Sequence, residues 1–556
     1  MPEKHYMLPV LPRLAGVAAT IANEDYFILH APRRSGKTTF IQALVKKINS
    51  DGHYYAFYCS IDATQNIDDD DKAMTRIAEQ INRALKMTGI QELVTLSYPD
   101  DSLPNAGTSV KIRTFLNYLS LNLNKKLIVI FDEADCLSGA PLMTFLRQIR
   151  QGYIDRSFSA VSKFPSTLAL VGTRNIRDYL ASNQSAGKHL ASPFNIVAER
   201  MTLANFTQDE IGQLYSQHTE ATGQVFHDGA IERAWYWTEG QPWLVNALAR
   251  QTVKVILKND YSVNISAKII DDAAQSLILR NDTHFYSLKV RLKEPRVRRV
   301  IEAILIGSDG FPNSIADDDV AYVLDLGLLK KNSTDGTIIQ PSNPIYQEVI
   351  VRTLITKIQP EIDRAITITF GNKWMDGISL DMNALLKAFQ IYWSENSEMY
   401  IQNNYIESLV FTSINIALKN LNLSSQNELN NEIVETIQDN LIVLTNEALT
   451  HLVLYAFLQR VLNGGADFIQ REYALGTFRA DICVSYKGIR YPLKLKIKGH
   501  KSQEESIRRL KSYMDKCLAS EGWLLTFDKD YSKPWNEKIS WETIEDKDQI
   551  IHLVCC

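Results

Sequence analysis

Four early stretches are apolar almost without interruption: residues 26–30, 54–60, 127–131 and 167–171. A strand wet on one face would alternate apolar and polar side chains. A continuous run predicts a strand buried on both faces, as in a parallel sheet covered by helices on either side. Between these runs the period changes. Phe40, Leu44, Val45 and Ile48 recur near helical spacing, and residues 72–86 and 142–149 read as further helices. Strands alternating with helices predict an α/β layer fold. Residues 99–108 are polar and turn-rich and read as a loop.

The pattern changes again downstream. Residues 200–280 are mostly helical; Thr207 to Glu210 has the form of a capping box, and Gly240-Gln241-Pro242-Trp243 a turn that opens a helix. Helices over 296–306 and 316–326, a turn over 330–336 between two short strands, and a helix from Asn343 suggest a winged helix. Residues 360–465 are helical and amphipathic. Strands return at 468–473, 480–486, 488–497 and 522–527, with a helix over 504–518. The expected domains are therefore 1–199, 200–285, 286–358 and 359–556, the last a helical segment followed by a second α/β unit.

Length and composition agree with three or four domains: 556 residues, 45% hydrophobic and 22% charged. The net charge of −4 excludes a global basic excess, so any contact with nucleic acid must come from local patches. One such patch is Arg291, Lys293, Arg296, Arg298 and Arg299, which reads first as a solvated helix face and second as a phosphate contact. No apolar run reaches the roughly 18 residues of a membrane span, and no signal-peptide core opens the chain. The six cysteines show no metal spacing and read as reduced thiols of a cytoplasmic protein.

Two motifs bring chemistry to this frame. Ala31-Pro32-Arg33-Arg34-Ser35-Gly36-Lys37-Thr38 fits the phosphate-loop pattern Ala/Gly-x4-Gly-Lys-Ser/Thr, with Thr39 opening the helix behind it. Inward backbone N–H groups and a helix N-terminus suit a phosphate chain. Lys37 would reach the β- and γ-phosphates, and the Thr38 hydroxyl would ligate Mg2+. The apolar run ending at Phe131 leads directly into Asp132 and Glu133, at the strand end where open α/β sheets bind ligands. Asp132 is the candidate for holding Mg2+ through water, and Glu133 for polarising the attacking water. Together they predict an ATPase with ATP and Mg2+ as ligands. Where a strand is inserted between the two that carry these motifs, its end carries a residue sensing the γ-phosphate. Thr173 and Asn175 are candidates, against an ordinary strand exit. The helical region 200–285 would form a lid. Arg147, Arg150 and Arg156 are candidates for a finger on a neighbour's ATP, or plain helix-surface arginines. His5, Tyr6, Pro12 and Arg13 precede the first strand, and the sequence does not place them.

The chain resembles bacterial AAA-like ATP-binding proteins that carry a PD-(D/E)xK nuclease-type domain at the C-terminus. The resemblance spans nearly the whole chain. It rests on His5-Tyr6, the phosphate loop, Asp132 to Asp135, residues 146–153, 240–248, 457–464 and 471–476. The nuclease pattern needs an Asp at one strand end and Glu-x-Lys on the next strand. Asp481 supplies the Asp and Lys496 the Lys, but Lys494 stands where the pattern wants Glu. Arg509 stands where a Gln is usual, before Tyr513 and Asp515. A cation in place of a metal-binding carboxylate opposes Mg2+. The resemblance thus implies a nuclease fold without its metal chemistry. Lys494, Lys496, Lys498, Lys501, Arg508 and Arg509 would then meet nucleic-acid phosphates or pair with nearby acids such as Asp481. Two readings follow. One is an ATP-driven switch that binds DNA or RNA. The other is an ATP-regulated scaffold for a protein partner or a homo-oligomer. Neither needs a membrane.

Overall fold

The computed structural model describes residues 6–14, 16–97, 107–158, 163–173, 196–227, 229–280, 283–306, 318–331, 339–355, 379–402, 450, 453–458, 469–470, 482–486, 489–498, 502–528, 533–546 and 548–556. The chain divides into two compact units. The first comprises Met1–Asp282, Ala316–Lys330 and Pro341–Tyr346; the second comprises Thr283–Ile315, Lys331–Gln340 and Gln347–Cys556.

The first unit is built on strands β1 (Tyr26–His30), β2 (Tyr54–Ser60), β3 (Lys126–Asp132), β4 (Thr167–Gly172) and β5 (Val197–Thr202). They form one sheet in the order β2-β3-β4-β1-β5, and every pairing is parallel. Phe27, Ala169 and Ile130 stand side by side across three strands, as do Ile28, Leu170 and Phe131 one residue further along. The first row packs on α1 (Val17–Ala22) and α2 (Lys37–Asp51); the second packs on α3 (Asp70–Met87), α5 (Lys111–Asn122) and α6 (Gly139–Phe158). Short α4 (Gln91–Thr95) adds Leu93 to that second layer. Both faces are covered, even at β2 on the edge, which is why the runs of β1 to β4 are apolar.

The region from residue 200, expected to be mostly helical, opens on the end of β5. β5 is an edge strand whose Glu199 and Arg200 are exposed while Met201 is buried. Charged edge strands lack the apolar run that marks central ones. Residues 142–156 lie on one helix, α6, which also absorbs the three arginines.

Four helices follow: α7 (Gln208–Thr222), α8 (Ala230–Thr238), α9 (Pro242–Arg250), continued by a π-helical turn, and α10 (Ala267–Leu279). The expected capping box is present, with Glu210 N donating to Thr207 Oγ1 at 3.2 Å and Thr207 N to Glu210 Oε2 at 2.8 Å. Gly240 is required at its turn: its φ is +70°, and an added Cβ would stand 1.8 Å from the Phe206 carbonyl oxygen.

Next in the chain come α11 (Thr283–Arg291), α12 (Pro295–Ile306), α13 (Asp318–Asp325), short strands β6 (Leu329–Lys331) and β7 (Ile339–Pro341), and α14 (Pro344–Ile355). The two compact units share this segment between them.

The second unit holds α15 (Met382–Gln402) and a six-stranded mixed sheet, in the order β12-β13-β11-β10-β9-β8. Its strands are β8 (Ile469–Gln470), β9 (Ile482–Tyr486), β10 (Ile489–Ile497), β11 (Glu521–Phe527), β12 (Ser540–Asp546) and β13 (Gln549–Cys555). β10, β11 and β13 run parallel; the other pairings are antiparallel. α16 (Gln503–Cys517) covers one face through Leu510 and Met514 against Leu524, Ile551 and Leu553. The other face packs Val484, Leu493, Leu495, Trp523, Leu525 and Phe527 against Leu385, Phe389 and Trp393 of α15 and residues 453–458. A single turn, α17 (Trp535–Lys538), precedes β12. The strands expected from the sequence end at 527, short of β12 and β13. β12 is a polar edge strand with no buried residue. β13 did carry a signal, the apolar pairs Ile550-Ile551 and Leu553-Val554.

Candidate active site

The loop between β1 and α2 curls because Arg34 and Gly36 both take left-handed backbone angles, with φ of 62° and 92°. The curl closes on the Lys37 side chain. Its Nζ donates to the Ala31 carbonyl at 2.6 Å and the Pro32 carbonyl at 3.0 Å. Lys37 is only 7% exposed. Burial lowers its pKa, while Glu133, Asp135 and Asp132 oppose that shift. The Ser35 hydroxyl is buried within the loop without a hydrogen-bond partner. Such an orphaned donor and a loop wrapped around one ammonium fit an anion with several oxygens.

The acids arrive from β3. Thr38 Oγ1 donates to Asp132 Oδ2 at 3.1 Å, which joins the start of α2 to the end of β3. The other Asp132 oxygen accepts from the Glu133 N–H at 3.0 Å. A hydroxyl and a carboxylate this close, beside a phosphate loop, are hard oxygen donors of the kind that bind Mg2+. Glu133 itself takes a left-handed conformation, φ 57° and ψ 36°, which turns the chain sharply after the strand. Burial raises the pKa of both carboxyls, and for Glu133 the neighbouring charges of Asp135 and Asp132 add to it. β4 stands between β1 and β3 in the sheet, so Thr173 emerges between the loop and the acids. Thr173 donates to Asp135 Oδ2 through its N–H, at 3.2 Å, and through its hydroxyl. Asn175 lies outside the described residues, as does His5.

Other contacts to the loop come from residues that the motif does not contain. Arg13 donates to the Ser35 carbonyl at 3.3 Å and to the Ala204 carbonyl, with its guanidinium 4.8 Å above the Phe206 ring. Gln241 caps α9 by accepting from Leu244 N, and its Nε2 donates to the Arg34 carbonyl at 3.4 Å. Arg34 stacks 4.8 Å over Trp243. The sequence pattern places Gln241 and Trp243 only at a helix start. Tyr6 meets the ring of His218, 5.9 Å away.

The three arginines of α6 separate. Arg156 donates to the carbonyls of Pro165, Ser166 and Glu24 at 3.0, 2.7 and 3.2 Å, and lies over the Tyr153 and Tyr26 rings. These partners sit at the amino ends of β1 and β4, opposite the loop, so Arg156 ties strands together. Arg147 is exposed and Arg150 half-buried.

In the second unit Asp481 lies outside the described residues. Lys494 and Lys496 share one face of β10, in register with Leu524 and Thr526 of β11. Leu524 packs on α16, so the two lysines lie on the helix-covered side. Several nearby cations are paired: Lys498 with Asp528 at 2.8 Å, Arg509 with Glu505, and Lys511 with Asp546.

Among the described residues no helix is long and apolar enough to cross a membrane. No protein-family model and no curated protein matches the sequence. Solved structures do align. The Aeropyrum pernix ORC2 protein (ADPNP-ADP complexes) is 12% identical, with 62% of this chain and 92% of that one covered and a TM-score of 0.38. Cdc6p from Pyrobaculum aerophilum is also 12% identical, covering 64% and 96%, with a TM-score of 0.35. The Thermotoga maritima RuvB Holliday junction branch migration motor is 15% identical, covering 60% and 91%, with a TM-score of 0.30. Similarity at this level carries no function across.

Proposed function

We propose that the first unit binds ATP with Mg2+ and hydrolyses it. The observation that carries this is the Thr38–Asp132 hydrogen bond of 3.1 Å, which brings the two motifs to one point beside Lys37. Residues Ala31 to Thr39 hold the phosphates through backbone N–H groups, the Lys37 ammonium and the start of α2. Thr38 and Asp132 hold Mg2+, whose charge offsets that of the phosphates. Glu133 takes a proton from water. Its raised pKa makes it a stronger base than an ordinary carboxylate. Helices α7 to α10 act as a lid whose grip on the loop is Gln241 and Trp243.

The second unit is proposed to be a nuclease-like fold without nuclease chemistry, attached to the ATPase as a DNA- or RNA-binding module in the cytoplasm. Lys494 and Lys496 on one strand face support it. The segment 286–358 is read as winged-helix-like on its element order. A specific observation favours the protein-scaffold reading instead: Lys498, Arg509 and Lys511 are engaged by acids, which leaves fewer cations for phosphates. Binding of fluorescent DNA and RNA across a salt series, with and without ATP, separates the two. A steep salt slope supports nucleic acid, and no binding at low salt supports the scaffold. The ATPase reading is tested by Glu133→Gln, which should bind ATP and lose turnover; turnover at the wild-type rate would refute the assignment of the base.

A further inference from the structure

Two successive carbonyls of the phosphate loop are held from outside it, by residues far apart in the chain. The Arg13 guanidinium donates through Nη1 to the Ser35 carbonyl, at 3.3 Å, and through Nη2 to the Ala204 carbonyl. It seats closely, since a Cβ added at Gly36 would stand 3.3 Å from Nη1. The next residue, Leu14, is buried with Leu29 and Phe40, which anchors the turn that carries Arg13. The guanidinium lies over Phe206, and Phe206 N donates to the Gly240 carbonyl at 2.8 Å. Beside Gly240, Gln241 accepts from Leu244 N with Oε1 at 2.6 Å and donates from Nε2 to the Arg34 carbonyl at 3.4 Å. Arg13, Phe206, Gly240 and Gln241 are therefore one bracket against two consecutive peptides.

A trans peptide points its carbonyl and its N–H in opposite directions. Holding the Arg34 carbonyl outward turns the Ser35 N–H inward, and holding the Ser35 carbonyl does the same for the Gly36 N–H. Among the described residues neither N–H has an acceptor, and the buried Ser35 hydroxyl has no partner either. Inward N–H groups in a curled loop are what an anion meets. The curl is not free: Arg34 has a φ of 62°, a left-handed angle that the Cβ of an arginine disfavours, so an outside hold is needed to keep it. We propose that Arg13 and Gln241 are positioning residues that hold these two peptides ready for the phosphates. This rests on the ATP-binding reading and deepens it. Among the described residues no bond joins the bracket to Thr38, Asp132 or Glu133. It therefore serves the diphosphate that ATP and ADP share, not the step at the γ-phosphorus.

The test measures affinity for ADP and for a non-hydrolysable ATP analogue, with Mg2+, by calorimetry on the full chain, alongside kcat and KM. Pyrophosphate, which has no base or ribose, is measured by displacement of ADP. Arg13→Met keeps length and removes both donors. It should weaken all three ligands by one common factor, about tenfold or more, raise KM likewise and hold kcat within about threefold. Arg13→Lys keeps the charge without the planar fork, so ADP affinity should stay about threefold or more below wild type. Gln241→Ser keeps a capping oxygen for α9 but cannot reach Arg34; it should weaken ADP and the analogue equally, about threefold or more. If Arg13→Met does not fold, the Lys and Ser variants decide. A merely structural role would lower the melting temperature and leave these affinities alone, which overturns the proposal. So does full recovery in Arg13→Lys, a loss of ADP with pyrophosphate unchanged, or a fall in kcat at constant KM. Failure of the ATP-binding reading looks different: ADP and the analogue would then bind Lys37→Ala as they bind wild type.

Discussion

Glu133 combines two properties that rarely coincide: a left-handed backbone and a carboxyl whose pKa is raised by burial and by two neighbouring acids. Backbone strain at a bulky residue persists where the surroundings over-determine it, most often at functional sites. Glu133→Gln removes the base and keeps the shape. The expected result is ATP affinity close to wild type with kcat lower by about 10²-fold or more, checked by phosphate release under saturating ATP. At this scale the sequence told much. The spacing of Ala31 to Thr38 and the acids after an apolar run are local patterns, and the fold brings them together at the Thr38–Asp132 hydrogen bond. Arg13 and Gln241 were not legible in these roles. They reach the loop from 22 and 207 residues away, and only the folded chain joins them.

Elements divide by what exposes them to water. β1 to β4 were readable because burial on both faces leaves an unbroken apolar run. β5 and β12 were not, because exposed charged side chains, Glu199 and Arg200 in one and Glu542 and Glu545 in the other, interrupt the run. α6 shows the converse limit: the apolar spacing predicts a helix over 142–149, yet the direction of its arginines comes only from the fold. Arg156→Ala should remove one donor from each of three backbone carbonyls, of which that of Pro165 keeps the Tyr26 hydroxyl, and lower stability by about 2 kcal/mol, with kcat for ATP unchanged. Thermal denaturation and turnover measured on the same variant check it. A finger would show the reverse, lost turnover at an unchanged melting temperature. Gly240→Ala should be harsher, about 3 kcal/mol or more, because a Cβ there meets the Phe206 carbonyl in a left-handed turn. Denaturant unfolding reads that loss.

For the whole molecule, the net charge of −4 leaves nucleic-acid binding to local faces, and the two units carry separate parts of the account. In the second, Lys494 in place of a carboxylate predicts no Mg2+- or Mn2+-dependent cleavage of DNA or RNA beyond that of an Asp481→Ala control. Cleavage that vanishes in Asp481→Ala would refute it. Lys494→Ala with Lys496→Ala should lower the salt slope of any nucleic-acid binding by roughly 1–2. The central claim belongs to the first unit, that the loop and the acids form one ATP site around Lys37. It is tested most directly by calorimetric titration of ATP with Mg2+ into wild type and Lys37→Ala. Wild type should bind at one site per chain, and removing the buried ammonium should weaken that binding about 10²-fold or abolish it. Equal affinity in the two proteins would contradict the account.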